Sequence, residues 1–107
     1  MTLNQLYKAI NIALAVAPKE RPAIMAAGGQ SASNSALGGY WRASDDHRFR
    51  SIPPLALLGF CRGLVDQRPP DTPQHLAALQ HIITSLERGE RLGIELLHAF
   101  DGSEGEA

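Results

Sequence analysis

Apolar residues recur every three or four positions along most of this chain, and nowhere do they alternate with polar ones. The first segment sets the pattern with Leu3, Leu6, Tyr7, Ile10, Ala13 and Leu14. A period near 3.6 gathers such residues on one stripe of a helix, whereas a half-buried strand needs a period of two. A length of 107 residues suits one core. Only 6% of the residues are aromatic, so that core is expected to rest on Leu, Ile and Ala. The fold expected is all-α, a compact bundle of five or six short helices.

Caps and breakers divide the pattern. Thr2 and Gln5 read as a capping box, each side chain bonding the other's backbone N–H, at the head of a helix over about 3–16. Pro18 ends or interrupts it. A second helix occupies roughly 18–28, and Pro22 either marks its start at Arg21-Pro22 or kinks its first turn. Gly28-Gly29 close it, because glycine accepts the left-handed conformation of a helix end. Ser33 caps a short third helix carrying Ala36, Leu37, Tyr40 and Trp41. Gly38 and Gly39 weaken it by about 1 kcal/mol each, which is tolerable where another backbone packs closely.

Residues 44–51 read as a polar loop. Pro53-Pro54 open a fourth helix bearing Leu57, Leu58, Phe60, Cys61, Leu64 and Val65. Gly59 and Gly63 share one of its faces and suit a close helix crossing. Prolines between Gln67 and Pro73 make a corner. Thr72 and Pro73 start a fifth helix, its seam Leu76, Leu79, Ile83 and Leu86 with Ile82 beside it, ending near Gly89. A sixth spans about 90–100 with Leu92, Leu96, Leu97 and Phe100. Residues 101–107 are small and acidic and read as a disordered tail.

Ala32-Ser33, Leu37, Tyr40, the paired acids Asp45-Asp46, and Phe60-Cys61-Arg62-Gly63-Leu64 follow one another in a recognisable order. From Gly29 to about Arg68 this order resembles one repeat of the YehS-like bacterial family, a family of unknown function whose typical members carry two such repeats. The resemblance implies a helical repeat over 1–70. Residues 71–100, which do not resemble a second repeat, are then a C-terminal helical pair packed on it. Ala43 stands where the family usually has a basic residue, and Gly38 and Gly39 replace better helix formers. The resemblance implies little about activity.

Catalytic patterns are missing from the sequence. The four histidines, His47, His75, His81 and His98, lack the i, i+4 spacing of a helical zinc site. Asp45-Asp46-His47 reads as a hydrophilic turn. Cys61 lies in an apolar helix, where it acts as a small hydrophobe rather than a nucleophile. Neither glycine pair has the preceding strand or the lysine of a phosphate loop. No enzyme activity, cofactor or metal is expected. The N-terminus, with Asn4, Gln5, Lys8 and Asn11, lacks the layout of a signal peptide. No run approaches the ~20 apolar residues of a membrane span. A cytoplasmic protein of a bacterium or phage, with no membrane contact, is the expectation.

Two kinds of partner remain. The first is a protein, met by an adaptor or inhibitor through Trp41, Arg42, Leu92, Leu96 and Phe100. Trp and Arg dominate interface energies, although Trp41 also reads as a core residue. Helices five and six carry more apolar residues than a solvent-facing hairpin should, Ile94 among them, which suggests a homodimer. The alternative partner is duplex DNA. Residues 1–70 hold eight Lys or Arg against four Asp or Glu, while 71–107 hold two against seven. The second and third helices read as a helix-turn-helix-like pair, with Ala27 the small crossing residue and Leu37 and Tyr40 the anchors. Ser33, Asn34 and Ser35 would face bases or phosphates, and Arg42, Arg48 and Arg50 the backbone.

Overall fold

Three helices of this protein end in the same backbone motif, and those endings steer the chain. The structure is a computed structural model and describes residues 2–101. It contains α1 (Leu3–Ala13), a 3-10 turn (Pro18–Glu20), α2 (Arg21–Ala27), α3 (Asn34–Trp41), α4 (Pro54–Gln67), α5 (Pro73–Glu87) and α6 (Glu95–Asp101). No strand occurs among the described residues, and the fold is all-α.

After α1, the Val16 N–H bonds the Asn11 carbonyl at 2.9 Å and the Ala15 N–H bonds the Ile12 carbonyl at 3.2 Å. This is a Schellman ending, with Ala15 left-handed at φ 53°. Gly29 at φ 83° and Gly89 at φ 69° hold the same position after α2 and α5. The first helix is therefore shorter than the 3–16 expected, and Pro18 does not stop it. Nothing local flags Ala15, because alanine rarely takes that conformation. Pro18 opens the 3-10 turn instead, and Pro22 sits in the first turn of α2, where its missing N–H costs nothing.

The other starts lie where side chains can satisfy them. Thr2 and Gln5 form the reciprocal capping box. The Ser33 hydroxyl accepts the Ala36 N–H at 3.1 Å, and the Thr72 hydroxyl accepts the His75 N–H at 3.2 Å. Pro54 begins α4. The sixth helix starts at Glu95 rather than near 90, because the left-handed turn at Gly89 reverses the chain and residues 90–94 carry it over to α1. Asp101 still belongs to α6; the rest of the expected disordered tail lies outside the described residues.

Packing is set by glycine. A Cβ on Gly63 would fall 1.8 Å from the Ile24 carbonyl oxygen, and one on Gly28 would fall 1.6 Å from that of Gly59. Only hydrogen at these positions lets α2 and α4 cross so closely. Ala27, expected to be the small residue of an α2–α3 crossing, is exposed; the close crossing of α2 is with α4. Gly39 is covered by Arg48 and Arg50, but Gly38 faces open space, so no close backbone explains it. Helix α5 lies along α4, joined by an Arg62–Glu87 ion pair, and α6 packs on α1 and α5. The buried face of α5 runs through Ala78, Leu79 and Ile82, while Leu76, Ile83 and Leu86 flank it. It shifts from the expected seam because α5 is covered from two sides.

All six helices feed one core, through Leu6, Ile24, Leu37, Phe60, Leu79 and Leu96 in chain order. Four of the six aromatics meet around Tyr7. The Tyr7 ring meets Phe60 at 5.0 Å, Tyr40 at 6.0 Å and Trp41 at 6.3 Å between centroids, all edge-on. That geometry brings positive ring edges to negative ring faces. The expected Leu, Ile and Ala core is thus built around an aromatic hub.

Candidate interaction surface

The Cys61 side chain is fully buried in α4, and burial pushes its thiol up to about 12. At neutral pH it stays a thiol, and a thiol is a poor nucleophile and metal ligand. Among the described residues no three or more His, Cys, Asp or Glu converge as metal ligands do. The His75 ring stacks on Phe100 at 5.4 Å. No described helix is long and apolar enough to cross a membrane.

The residues considered for DNA are scattered in their roles. Asn34 and Ser35 are exposed at the start of α3, and Ser33 is exposed but holds the cap. Two of the three basic residues beyond α3, Arg42 and Arg48, face an acid of their own loop. Asp46 lies 3.4 Å from Arg42 and 3.6 Å from Arg48, and its carboxylate also accepts the Arg48 N–H at 2.8 Å. That backbone bond, followed by the two guanidinium charges, holds the Asp46 carboxyl below its ordinary value. Only Arg50 of the three stands apart from Asp46. Its side-chain carbons lie over Gly39, and its N–H donates to the Gly39 carbonyl at 3.0 Å.

The residues considered for a protein interface divide more sharply. Leu96 and Phe100 are buried, 6% and 3% exposed, so the turn of α6 that carries them faces inward and cannot meet a partner. Trp41 is half-buried against the core. The Arg21 guanidinium lies 4.2 Å from its ring centroid, while Arg21 Nε donates to Asn11 Oδ1 at 3.0 Å. A cation over an aromatic face is attracted by the ring quadrupole, so Trp41 is occupied within the fold. Arg42 is held by Asp46. Of these five, Leu92 lines the larger of two apolar depressions, and the buried Phe100 ring floors the other.

The cleft at Leu92, of about 550 Å³, forms where α1, α4, α5 and the connection to α6 meet. Leu3 comes from the first turn of α1, Pro54 from the first residue of α4, and Leu86 from the last turn of α5. Leu92 and Ile94 come from the connection to α6. Ile94 is 57% exposed there, and Leu55, next to Pro54 in the chain, is 64% exposed. Glu90 and Arg91 stand at the rim, both exposed, and neither makes an ion pair among the described residues. Helical periodicity hid this site. Leu3 and Leu86 share stripes with core residues, while Pro54 and Ile94 mark a helix start and a loop. A second apolar depression, lined by Ala9, Ile12 and Phe100, lies between α1 and α6, with Ile12 69% exposed. No family model, curated protein or solved structure matches this chain, so the YehS-like resemblance rests on the residues quoted for it.

Proposed function

We propose that this protein is a small non-enzymatic interaction module, an adaptor or inhibitor, that binds a protein partner through the Leu3–Pro54–Leu86–Leu92–Ile94 cleft. A reducing, cytoplasmic setting suits its one buried thiol. The observation that carries the reading is Ile94, a large aliphatic side chain more than half exposed at the mouth of an apolar cleft. Exposed apolar area gathered around a concavity favours a partner that removes it from water, at about 25 cal/mol per Å².

The test is the size of the tagged chain in an extract of its native cells. It should elute well above its own 11.5 kDa, and Ile94→Asp should return it to that mass. Elution of the unaltered chain at 11.5 kDa overturns the reading.

Duplex DNA remains the second reading because Asn34 and Ser35 are free at the start of α3. It requires retention on a DNA column that falls steeply with salt, as phosphate contacts release counterions. Arg48→Glu with Arg50→Glu should then abolish the retention. Absence of binding at low salt removes it.

A further inference from the structure

We propose that the occupant of the apolar cleft is a second copy of this chain, related by a two-fold axis; the inference rests on reading the cleft as an interaction surface. The argument comes from the rim. Glu90 and Arg91 are neighbours of opposite charge, exposed and without ion pairs among the described residues, beside Leu92 and Ile94. A partner of one dominant charge would be attracted by one of them and repelled by the other. A two-fold interface sets a patch against itself. Glu90 then faces Arg91 of the partner subunit, and Arg91 faces Glu90 of the partner subunit, so both charges are matched twice in one complex. Leu92 and Ile94, which follow them in the chain, are brought toward their partner-subunit counterparts by the same operation.

Two further features agree. The formal net charge of the chain is −1, so two copies repel each other little. The Glu90 N–H bonds the Ser85 carbonyl at 2.8 Å, so the backbone at the first rim charge is already held before association.

The experiment uses the purified full chain, weighed by light scattering or sedimentation across a wide concentration range. The mass should rise from 11.5 kDa toward twice that value. Glu90→Arg and Arg91→Glu, each alone, place like charges in contact and should weaken dimerisation by about tenfold or more. The double charge swap restores both pairs and should recover the original dimerisation. All three variants change exposed side chains, and thermal melts confirm that they remain folded. A monomer at every concentration overturns the second copy as occupant. If the same chain still elutes large in cell extract, the interaction reading survives that result. A dimer indifferent to the single reversals, or a double swap that stays monomeric, overturns the two-fold pairing.

Discussion

The side-chain oxygen of Asn4 accepts the backbone N–H of Ile52 at 3.0 Å, across 48 positions of sequence, and both residues are buried. The same side chain donates to the Tyr40 carbonyl at 3.0 Å and to the Arg50 carbonyl at 2.8 Å. One amide therefore ties α1 to the end of α3 and to the strand-free segment that leads into α4. A buried backbone group without a partner costs about 1–3 kcal/mol, and Asn4 satisfies two, the Tyr40 carbonyl and the Ile52 N–H, with the part-buried Arg50 carbonyl as a third partner. Asn4→Ala should destabilise the protein by about 3 kcal/mol or more in denaturant unfolding. A loss below about 1 kcal/mol would show that the three groups find other partners.

Two glycines on different helices should respond to alanine with opposite signs. Gly63 has no room, since its Cβ would overlap the Ile24 carbonyl, and Gly63→Ala should force α2 and α4 apart at a cost above about 3 kcal/mol. Gly38 has nothing within 4 Å of an added Cβ. Gly38→Ala should stabilise α3 by about 1 kcal/mol, the helix-propensity difference. Thermal melts of the two variants check the contrast.

Ala15 is left-handed where α1 ends, a conformation that costs an L-residue about 1–2 kcal/mol. Ala15→Gly removes that strain but adds unfolded-chain entropy of about 0.4–1 kcal/mol. The expected net is a gain of up to about 1 kcal/mol. The Ala15 carbonyl, which accepts Arg68 Nη2 at 3.2 Å, is retained in the variant. Destabilisation on chemical unfolding would contradict this account of the turn.

Alkaline pH should unfold the protein through two buried acids. Burial raises Cys61 from 9.0 and Tyr7 from 10.0, each to about 12. Both groups hold their protons more tightly in the folded state, so the stability they lend is complete below pH 9 and is lost as pH rises toward 12. Cys61→Ala and Tyr7→Phe should each flatten that loss, as read from melting temperature against pH. Below pH 9 the native thiol should resist alkylation until the chain opens.

The Tyr7 hydroxyl is buried and makes no hydrogen bond with good geometry, although the Asn11 side chain approaches it. Asn11 is already engaged, donating to the Tyr7 carbonyl at 2.8 Å and accepting from Arg21. Tyr7→Phe keeps the aromatic hub and removes an unpaired polar group, so at neutral pH it should leave stability unchanged or raise it by about 1 kcal/mol. A loss of about 2 kcal/mol in denaturant unfolding would reveal a hydrogen bond to that hydroxyl.

The helices and most of their starts were legible in the sequence, because those depend on neighbours. Thr2 with Gln5, Ser33, Pro53-Pro54 and Thr72-Pro73 act within four residues, and each stands where the chain enters a helix. The pairing of helices was a tertiary decision. A stripe such as Leu92, Leu96 and Phe100 shows which side of a helix is apolar, but not how much of it another helix covers. Leu96 and Phe100 went inside and Ile94 stayed out because residues 90–94 swing α6 onto α1. Gly59 and Gly63 signalled a close crossing, yet its partner, α2, was fixed by backbone approach at Gly28 and Ile24. In the sequence Asn4 counts only as one of the polar residues that break a signal-peptide layout; its three backbone partners lie 36 to 48 positions away. Contacts at that separation leave no local signature, so only the folded chain could bring the clamp, the aromatic hub and the cleft together.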